Sequence, residues 1–397
     1  MMSVDLYEHQ KLALPKLKNG SILCGGVGSG KSRTALAYFL VNECKGSLDT
    51  LKIKNTVDLY IITTARKRDT NEWLDECDPF HFPEEIHITI DSWNNIGKYT
   101  GISNAFFIFD EQRVVGYGAW TKAFLAITKQ NRWILLSATP GDTWSDYIPV
   151  FIANGFYRNK TEFVRRHVIY SRFTKYPKVD RYIDCGRLVR LRKEILVNMK
   201  FLRPTKSHHQ TLIAKYDKDA YNYVIKNRKN YITKEPFANM GALCLHLREI
   251  VNSDQDRIAL TRSLILQHPK TIIFYNFDYE LKLLRELASE LDMKKAEWNG
   301  HIHEPIPDNK YSEWIYLVQY TAGAEGWNCI ETDTIIFYSQ NYSYKIMTQA
   351  AGRIDRLNTP FQDLYYYHLR SNSSIDISIM RALQKKKNFN ASGFLSN

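Results

Sequence analysis

The sequence lacks three features that would place it in a membrane or in an oxidising compartment. It has no apolar run of about 18 residues, the length that a membrane-spanning helix needs. Its first residues, MMSVDLYEHQ, have no apolar segment typical of a secretory signal. Its 6 cysteines are scattered without a C-x-x-C pair, which argues against a zinc ribbon and against a disulfide framework. We therefore expect a soluble, cytoplasmic protein with reduced thiols and no membrane partner.

Acidic residues are scarce in the middle third of the chain. The 397 residues carry a net charge of +12. Residues 158–262 contain 24 Lys and Arg against 10 Asp and Glu, whereas the rest has 30 against 32. Tyrosines and phenylalanines are interleaved with these bases, and a basic surface with stacking residues is typical of nucleic-acid binding. A solvated basic face with buried tyrosines explains the charge equally well.

The stretch GGVGSGKS, residues 25–32, fits the phosphate-binding pattern G-x-x-x-x-G-K-[ST] at every fixed position. An apolar run precedes it and apolar residues at helical spacing follow it, which predicts strand, loop and helix in that order. Backbone N–H groups and the helix start of such a loop surround phosphates. We expect Lys31 to reach the β- and γ-phosphates of ATP and Ser32 to bind Mg²⁺. The other predicted nucleotide-binding residues of this loop are Gly25, Gly28, Ser29 and Gly30.

A second predicted strand ends in two adjacent acids. NAFFIFDEQ, residues 104–112, is an apolar run that stops at Asp110 and Glu111. Asp110 is predicted to hold Mg²⁺ through the metal's water shell, and Glu111 to polarise the attacking water. The next strand, RWILLSATP at residues 132–140, ends in small hydroxyl residues. These residues can connect the acids to the part of the protein that moves upon hydrolysis.

Two further strands end in polar or basic residues. VDLYIITT, residues 57–64, predicts a buried strand that ends at Thr64 and is followed by the basic run 66–68. IHITIDSWNNI, residues 86–96, predicts another, with Ser92 at its end. Ligands gather at strand ends of an open α/β sheet, so Thr64, Arg66 and Ser92 are candidate nucleic-acid contacts. A solvated helix start is an equally good interpretation of any single one of them.

Two polar features outside these strands carry weaker predictions. Gln10 precedes the P-loop, and its amide is able to read the adenine edge by donating and accepting hydrogen bonds at once. HIHE, residues 301–304, resembles a fragment of a metal site, but it lies in a polar stretch without matching ligands elsewhere. We expect a loop there.

The motifs GGVGSGKS, DEQR and LLSATP, in this order, resemble motifs I, II and III of the superfamily two helicases and translocases. TIIFYNF at residues 271–277, QYTAGAEGWNCIETDTIIFYSQ at 319–340 and QAAGRIDR at 349–356 are similar to motifs IV, V and VI. The motif V pattern and LREIVNS, residues 247–253, are most like the Swi/Snf branch, including its compact versions encoded by bacteriophages. The resemblance implies an ATP-dependent DNA helicase or translocase that uses ATP and Mg²⁺, with DNA as partner, in a bacterial or phage-host cytoplasm.

The resemblance also implies roles for single residues. In motif VI it implies that Arg353 and Arg356 are arginine fingers. In motif V it implies that Gly323, Gly326 and Asn328 surround the nucleotide and the strand. Of these we expect Gly326 at the nucleotide, with Thr321 and Asn328 at the nucleic acid.

Motif II departs from the family pattern. It reads DEQR, so Arg113 stands where the family has a histidine that couples hydrolysis to motif III or VI. Two alternatives therefore stay open beside a DNA translocase. One is an RNA-directed helicase, and the other is a nucleic-acid-binding switch that uses ATP to lock onto its target without translocating.

The alternation of strands and helices predicts an α/β protein with two tandem RecA-like domains. We expect the first at residues 1–202, a basic helical connector at 203–267, and the second at 268–397. The second has no P-loop of its own. The sequence thus predicts one ATP site in the cleft between the domains, with Arg353 and Arg356 presented by the second.

Overall fold

The chain forms two compact units, each built on a six-stranded parallel sheet. A computed structural model describes residues 3–26, 28–111, 114, 116, 118–172, 177–201, 205–308, 310–323, 329–356 and 359–394. Unit 1 comprises Met1–Leu202 together with Lys387–Asn397, and unit 2 comprises Arg203–Lys386. In the described part of the chain, no helix is both long enough and apolar enough to cross a membrane.

Unit 1 contains eight strands among its described residues. They are β1 (Ile22–Cys24), β2 (Leu59–Thr63), β3 (Ile88–Ser92), β4 (Phe106–Asp110), β5 (Arg132–Ser137), β6 (Val168–Tyr170), β7 (Val179–Tyr182) and β8 (Leu196–Asn198). Six of them form a sheet in the order β3-β2-β4-β5-β1-β8, and neighbouring strands run parallel. Strands β6 and β7 form a separate antiparallel hairpin.

Helices cover both faces of this sheet. They are α1 (Glu8–Ala13), α2 (Lys31–Tyr38), α3 (Ala65–Asp69), α4 (Glu72–Cys77), α5 (Ala119–Thr128), α6 (Ile148–Ala153), α7 (Lys160–His167) and α8 (Cys185–Ile195). Shorter helical turns lie at Leu14–Lys16, Phe39–Glu43, Asp78–Phe80, Trp93–Tyr99 and Trp144–Tyr147.

The central strands are apolar throughout because both of their faces are buried. Along β4, Phe106 and Ile108 join one hydrophobic core while Phe107 and Phe109 join the other. Successive side chains of a strand point to opposite faces, so a strand covered on both sides reads as a continuous apolar run. Such a run predicts a strand well, and β1 to β5 fall within the five stretches where the sequence predicts them.

Unit 2 has a second sheet of the same kind. Its strands are β9 (Lys206–Ala214), β10 (Lys270–Tyr275), β11 (Lys294–Trp298), β12 (Trp314–Gln319), β13 (Thr334–Phe337) and β14 (Asp363–Ser371). Their order is β11-β12-β10-β13-β14-β9, with parallel neighbours throughout. Its helices are α9 (Lys218–Asn227), α10 (Met240–Asn252), α11 (Gln255–Gln267), α12 (Asp278–Glu290), α13 (Tyr320–Gly323) and α14 (Tyr344–Ala351), and α15 (Ser374–Phe394) begins in this unit and is assigned to unit 1 from Lys387 onward. The architecture confirms the α/β class and the two parallel sheets flanked by helices.

The segment predicted as a connector belongs to unit 2. It begins with β9, which pairs with β14 over nine residues, from Lys206 beside Asp363 to Ala214 beside Ser371. Helices α9, α10 and α11 follow. Strand β9 is at the sheet edge and is largely exposed, so its sequence KSHHQTLIA is too polar to predict a buried strand. Helices α9 to α11 thus occupy most of this segment, and β9 is a strand that the sequence analysis does not predict.

Candidate active site

The loop after β1 has a shape that favours glycine at two positions. Gly28 and Gly30 have φ angles of +77° and +75°, in the left-handed region that other residues avoid. Gly30 directly precedes α2, and a Cβ atom there would lie 2.2 Å from Nε2 of Gln10. A Cβ atom on Gly25 would lie 2.5 Å from Oγ of Ser29. Backbone conformation and close packing therefore both account for glycines in this loop.

Helix α1 braces the P-loop from outside the motif. The His9 ring donates from Nε2 to the Ser29 carbonyl at 2.9 Å, and Gln10 donates from Nε2 to the Gly30 carbonyl at 3.0 Å. The Oε1 atom of Gln10 accepts from the Tyr7 backbone N–H at 2.8 Å. Both ends of the Gln10 amide thus bind the backbone, and the side chain is only 1% exposed. Gln10 supports the loop here, and its adenine contact stays a prediction.

The Lys31 ammonium lies against the loop that precedes it. Its Nζ donates to the carbonyls of Gly25 at 2.8 Å and Gly26 at 2.9 Å. Burial lowers the pKa of Lys31 to about 8, and nearby Lys67 acts in the same direction while the carboxylates of the acid pair oppose it. Because Lys31 is held by neutral carbonyls, phosphate oxygens would be stronger acceptors for the same ammonium.

Two serines in this loop present hydroxyls suited to a phosphate and a metal. Ser29 is 1% exposed, and its Oγ has no hydrogen-bond partner among the residues that the structure describes. Leaving a buried hydroxyl without a partner costs about 1–3 kcal/mol, so the position suits an added acceptor such as a phosphate oxygen. Ser32 is half-buried in the first turn of α2.

Asp110 ends β4 and is 2% exposed. Its Oδ2 atom accepts from the Thr63 hydroxyl at 2.8 Å, the Lys67 ammonium at 2.9 Å and the Trp73 indole N–H at 3.1 Å. Burial acts to raise the pKa of this carboxyl, but the three donors outweigh burial and the pKa is lowered. Asp110 is therefore a buried, ionised carboxylate at the carboxyl end of a central strand.

Glu111 follows immediately and adopts an unusual backbone conformation. Its φ is +60°, in the left-handed region, where a residue with a Cβ is strained by about 1–2 kcal/mol. Its Oε1 lies 3.9 Å from Nζ of Lys67, and the side chain is 28% exposed. The strained turn separates the two acids: Asp110 is buried against its donors, and Glu111 keeps access to solvent.

The donor set fits Mg²⁺ bound together with a nucleotide. Ser32 offers a hydroxyl and Asp110 a carboxylate, both hard oxygen ligands. In the described ranges, no group of three or more His, Cys, Asp or Glu side chains is placed to hold a metal ion. Mg²⁺ keeps several waters and uses one or two protein oxygens with substrate phosphates, so a large protein cluster is not required.

The predicted nucleic-acid contacts of unit 1 lie at the ends of neighbouring strands. Thr64 caps α3, where its hydroxyl accepts from the Lys67 backbone N–H at 3.3 Å, and Arg66 in the same helix is half-buried. Ser92 pairs in register with the last residue of β2. It is 2% exposed, and its Oγ accepts from Arg68 at 3.4 Å. The structure thus brings Thr64 and Ser92 to the same sheet edge but buries Ser92.

The motif V predictions fall partly outside the described residues. Thr321 is exposed in α13, and Gly323 at the end of that helix is buried. Gly326 and Asn328 lie outside the described residues, as does Arg113 of motif II. Their predicted roles therefore stay predictions.

The motif VI arginines follow α14. Arg353 is 5% exposed, and its Nε donates to the Gln349 carbonyl at 3.1 Å. Arg356 is half-buried, and the intervening Asp355 accepts from the Thr205 hydroxyl at 2.8 Å. Arg353 is therefore the more buried of the two arginines, and their roles as arginine fingers stay predictions.

A buried polar network connects three segments at the strand ends of unit 2. Glu280 is fully buried and accepts from the Asn276 backbone N–H at 2.7 Å, the Asn252 amide at 2.8 Å and the Ser339 hydroxyl at 2.9 Å. Asn252 comes from LREIVNS, Asn276 follows β10, and Ser339 follows β13. The sequence does not single out Glu280, because an acid in an amphipathic helix usually faces solvent. Its position in the first turn of α12 is the available signal.

The last part of unit 1 is rich in exposed bases, and we define its described residues 158–172 and 177–195, which include α7, the β6–β7 hairpin and α8, as the basic arm. Its exposed bases are Arg158, Lys160, Arg165, Arg166, Arg172, Lys178, Arg181, Arg190 and Lys193. A groove of about 550 Å³ is lined by Arg158, Asn159, Thr161, Glu162, Arg165 and Arg166. The acid in this groove is already engaged, because Glu162 accepts from the Arg158 backbone N–H at 2.7 Å and pairs with Arg166 at 2.8 Å.

Comparisons with known proteins do not assign the chain to a family. No protein-family model matches the sequence, and no curated protein matches it. The function is therefore inferred from the geometry of the P-loop and the acid pair, together with the resemblance of the motifs.

Proposed function

We propose that this chain is a nucleic-acid-dependent ATPase that moves along DNA. The observation that carries the proposal is the arrangement in unit 1. A P-loop with two left-handed glycines follows β1, and an ionised carboxylate with an adjacent strained glutamate follows β4 of the same parallel sheet. Lys31 is close enough to Asp110 and Glu111 for both carboxylates to affect its pKa. These are the parts that phosphoryl transfer to water requires.

Each of these residues has a distinct proposed role. Lys31 exchanges its carbonyl acceptors for phosphate oxygens and neutralises their charge. Ser32 and Asp110 would hold Mg²⁺, and the ion would neutralise negative charge on the phosphates. Glu111 orients the attacking water, and its access to solvent allows that water to be replaced after each turnover. The roles follow the general division between positioning and electrostatic stabilisation in phosphoryl transfer.

Arg353 and Arg356 complete the proposed ATPase. Their role would be to neutralise charge that develops on the γ-phosphate, which is worth about 10³-fold or more in rate. Arg356 is the better candidate of the two, because Arg353 is buried and donates to the Gln349 carbonyl of α14. The two units are proposed to be RecA-like domains, which is compatible with their parallel sheets.

The basic arm supports nucleic acid as the partner. The nine exposed bases of the arm form a surface suited to phosphates, and the single acid of the groove is paired. The choice of DNA as the nucleic acid depends on the resemblance to the Swi/Snf branch. Movement along DNA is likewise part of the proposal, and a triplex-displacement assay on duplex DNA tests it, because only a translocase strips the third strand.

Substitutions in the ATP site test the assignment of the residues. Lys31→Ala, Glu111→Gln and Arg356→Ala should each abolish ATP turnover while the variant stays folded and binds nucleic acid. Lys98→Ala, which changes an exposed lysine on the Trp93–Tyr99 turn, is the matched control and should turn over ATP normally. Normal turnover in any of the three variants would remove that residue from the assignment.

A further inference from the structure

Helix α3 carries two kinds of candidate residue on adjacent positions. Its N-cap, Thr64, and its second residue, Arg66, are candidate nucleic-acid contacts. Its third residue, Lys67, donates to Asp110 Oδ2 at 2.9 Å. A helix of five residues therefore joins the proposed nucleic-acid surface to the proposed ATPase acids.

Lys67 contributes a positive charge at the acid pair, in addition to that of nearby Lys31. Its Nζ lies 2.9 Å from Asp110 and 3.9 Å from Glu111, and its side chain is 24% exposed. Thr63 and Trp73 donate to the same Asp110 oxygen, but both are neutral. Hydrogen bonds between charged partners are about twice as strong as neutral ones, so a movement of Lys67 changes the charge balance at both carboxylates.

The backbone of α3 connects the two sides mechanically. The Thr64 hydroxyl accepts from the Lys67 backbone N–H, and the Thr64 carbonyl accepts from the Arg68 N–H at 3.1 Å. Arg68 in turn donates to Asp91 at 3.4 Å, which fixes the other side of the helix against β3. A phosphate that binds Thr64 or Arg66 therefore acts on the same short helix to which Lys67 belongs.

We propose that Lys67 is a positioning residue that transmits nucleic-acid contact at Thr64 and Arg66 to Asp110 and Glu111, so that nucleic-acid binding and nucleotide binding alter each other. The inference rests on the proposed function and extends it to a route of coupling. It gives α3 a coupling role in a chain whose motif II has Arg113 in place of the histidine that the resemblance leads one to expect.

The test measures coupling directly, by equilibrium binding. The affinity of a fluorescent ADP analogue with Mg²⁺ is measured with and without saturating duplex DNA, for the wild type and for Lys67→Met, Lys67→Gln and Lys98→Met. Coupling between two sites is reciprocal and typically changes affinity by about 5- to 150-fold. We expect DNA to change nucleotide affinity by about 5- to 150-fold in the wild type and in Lys98→Met. In both Lys67 variants, the affinities with and without DNA should agree within about twofold.

The outcomes separate this inference from the proposed function. Lys67→Gln keeps a hydrogen-bond donor without the charge, so it serves if Lys67→Met does not fold. Nucleotide binding in the absence of DNA reports whether each variant retains its ATP site. If both Lys67 variants couple as the wild type does, Lys67 has no transmitting role although the ATPase assignment stands. A wild type that does not bind the nucleotide would contradict the proposed function itself, and with it this inference.

Discussion

Gln10 donates from its Nε2 to the carbonyl of Gly30 at 3.0 Å, at the residue where the P-loop becomes helix α2. The contact is so close that a Cβ atom on Gly30 would meet the same nitrogen at 2.2 Å. The buried side chain of Gln10, which lies outside the motif, thus limits the space available at Gly30.

Gly30→Ala should destabilise the protein and abolish nucleotide binding. The added methyl group meets Gln10, and the φ of +75° costs an alanine about 1–2 kcal/mol before any clash is counted. Urea unfolding and binding of a fluorescent ATP analogue measure the two effects. Gly101→Ala is the matched control, since no atom lies within 4 Å of a Cβ there and its φ is outside the left-handed region. Equal stability of the two variants would contradict the packing described here.

Gln10→Ala should weaken ATP and GTP binding by the same factor. The substitution removes one donor from the Gly30 carbonyl, which keeps the Thr34 N–H and hydroxyl, and it leaves the Tyr7 N–H without its acceptor. An unsatisfied buried group costs about 1–3 kcal/mol. The loss of affinity arises in the phosphate-binding loop and therefore does not depend on which base the nucleotide carries. Competition binding with the two nucleotides checks this. A selective loss of ATP binding would instead support the adenine contact predicted from sequence.

His368 should make the protein less stable as the pH falls from about 6.5 to 4. Burial, with a contribution from His209, lowers the pKa of His368 to about 4. Between the two pKa values the unfolded chain binds a proton that the folded protein does not, so stability is present above pH 6.5 and is lost towards pH 4. The loss is at most about 3 kcal/mol.

The measurement is the difference in unfolding free energy between these pH values, with and without the titrating group. His368→Gln should show a smaller difference than the wild type, whatever its absolute stability. His301→Gln, in an exposed loop, should behave as the wild type does. An unchanged pH dependence in His368→Gln would show that His368 titrates normally in the folded protein.

The basic arm should supply phosphate contacts. Arg158→Ala combined with Arg165→Ala removes two exposed bases that line its groove. DNA affinity should fall, and the slope of log K against log salt should decrease by about 2. Lys52→Ala with Lys54→Ala, two exposed lysines in a loop of unit 1, is the control of equal charge. Equal slopes in the two double variants would contradict a role for the arm.

The sequence predicts the central strands because their residues are buried on both faces. Apolar runs in the sequence coincide with β1 to β5, β10, β12, β13 and β14. Strand β11, with the sequence KKAEW, and strand β9 lie at the edges of their sheet, where one side is open to solvent and the composition is polar. An edge strand of this kind gives no apolar periodicity, so it could be recognised only from its pairing.

The site is predictable where a motif fixes backbone geometry, and less so where side chains meet across the fold. The glycines around Lys31 and the position of Asp110 after a strand follow from local sequence. The contacts of Gln10 with Gly30, of Lys67 with Asp110 and of Glu280 with Asn252 and Ser339 join residues far apart in the chain, and local sequence does not indicate these partners. Lys67 is the clearest case, because a basic run after a strand predicts phosphate contacts and the structure directs this lysine to an aspartate instead.

The measurement that tests the central claim most directly is steady-state ATP hydrolysis without nucleic acid and with single-stranded DNA, duplex DNA or RNA, at one moderate salt concentration. We expect strong stimulation by DNA, absent in Lys31→Ala and in Glu111→Gln. Stimulation by RNA alone would indicate that the protein moves along RNA rather than DNA. Equal, low turnover under all four conditions would contradict a coupled motor and would favour an ATP-gated switch.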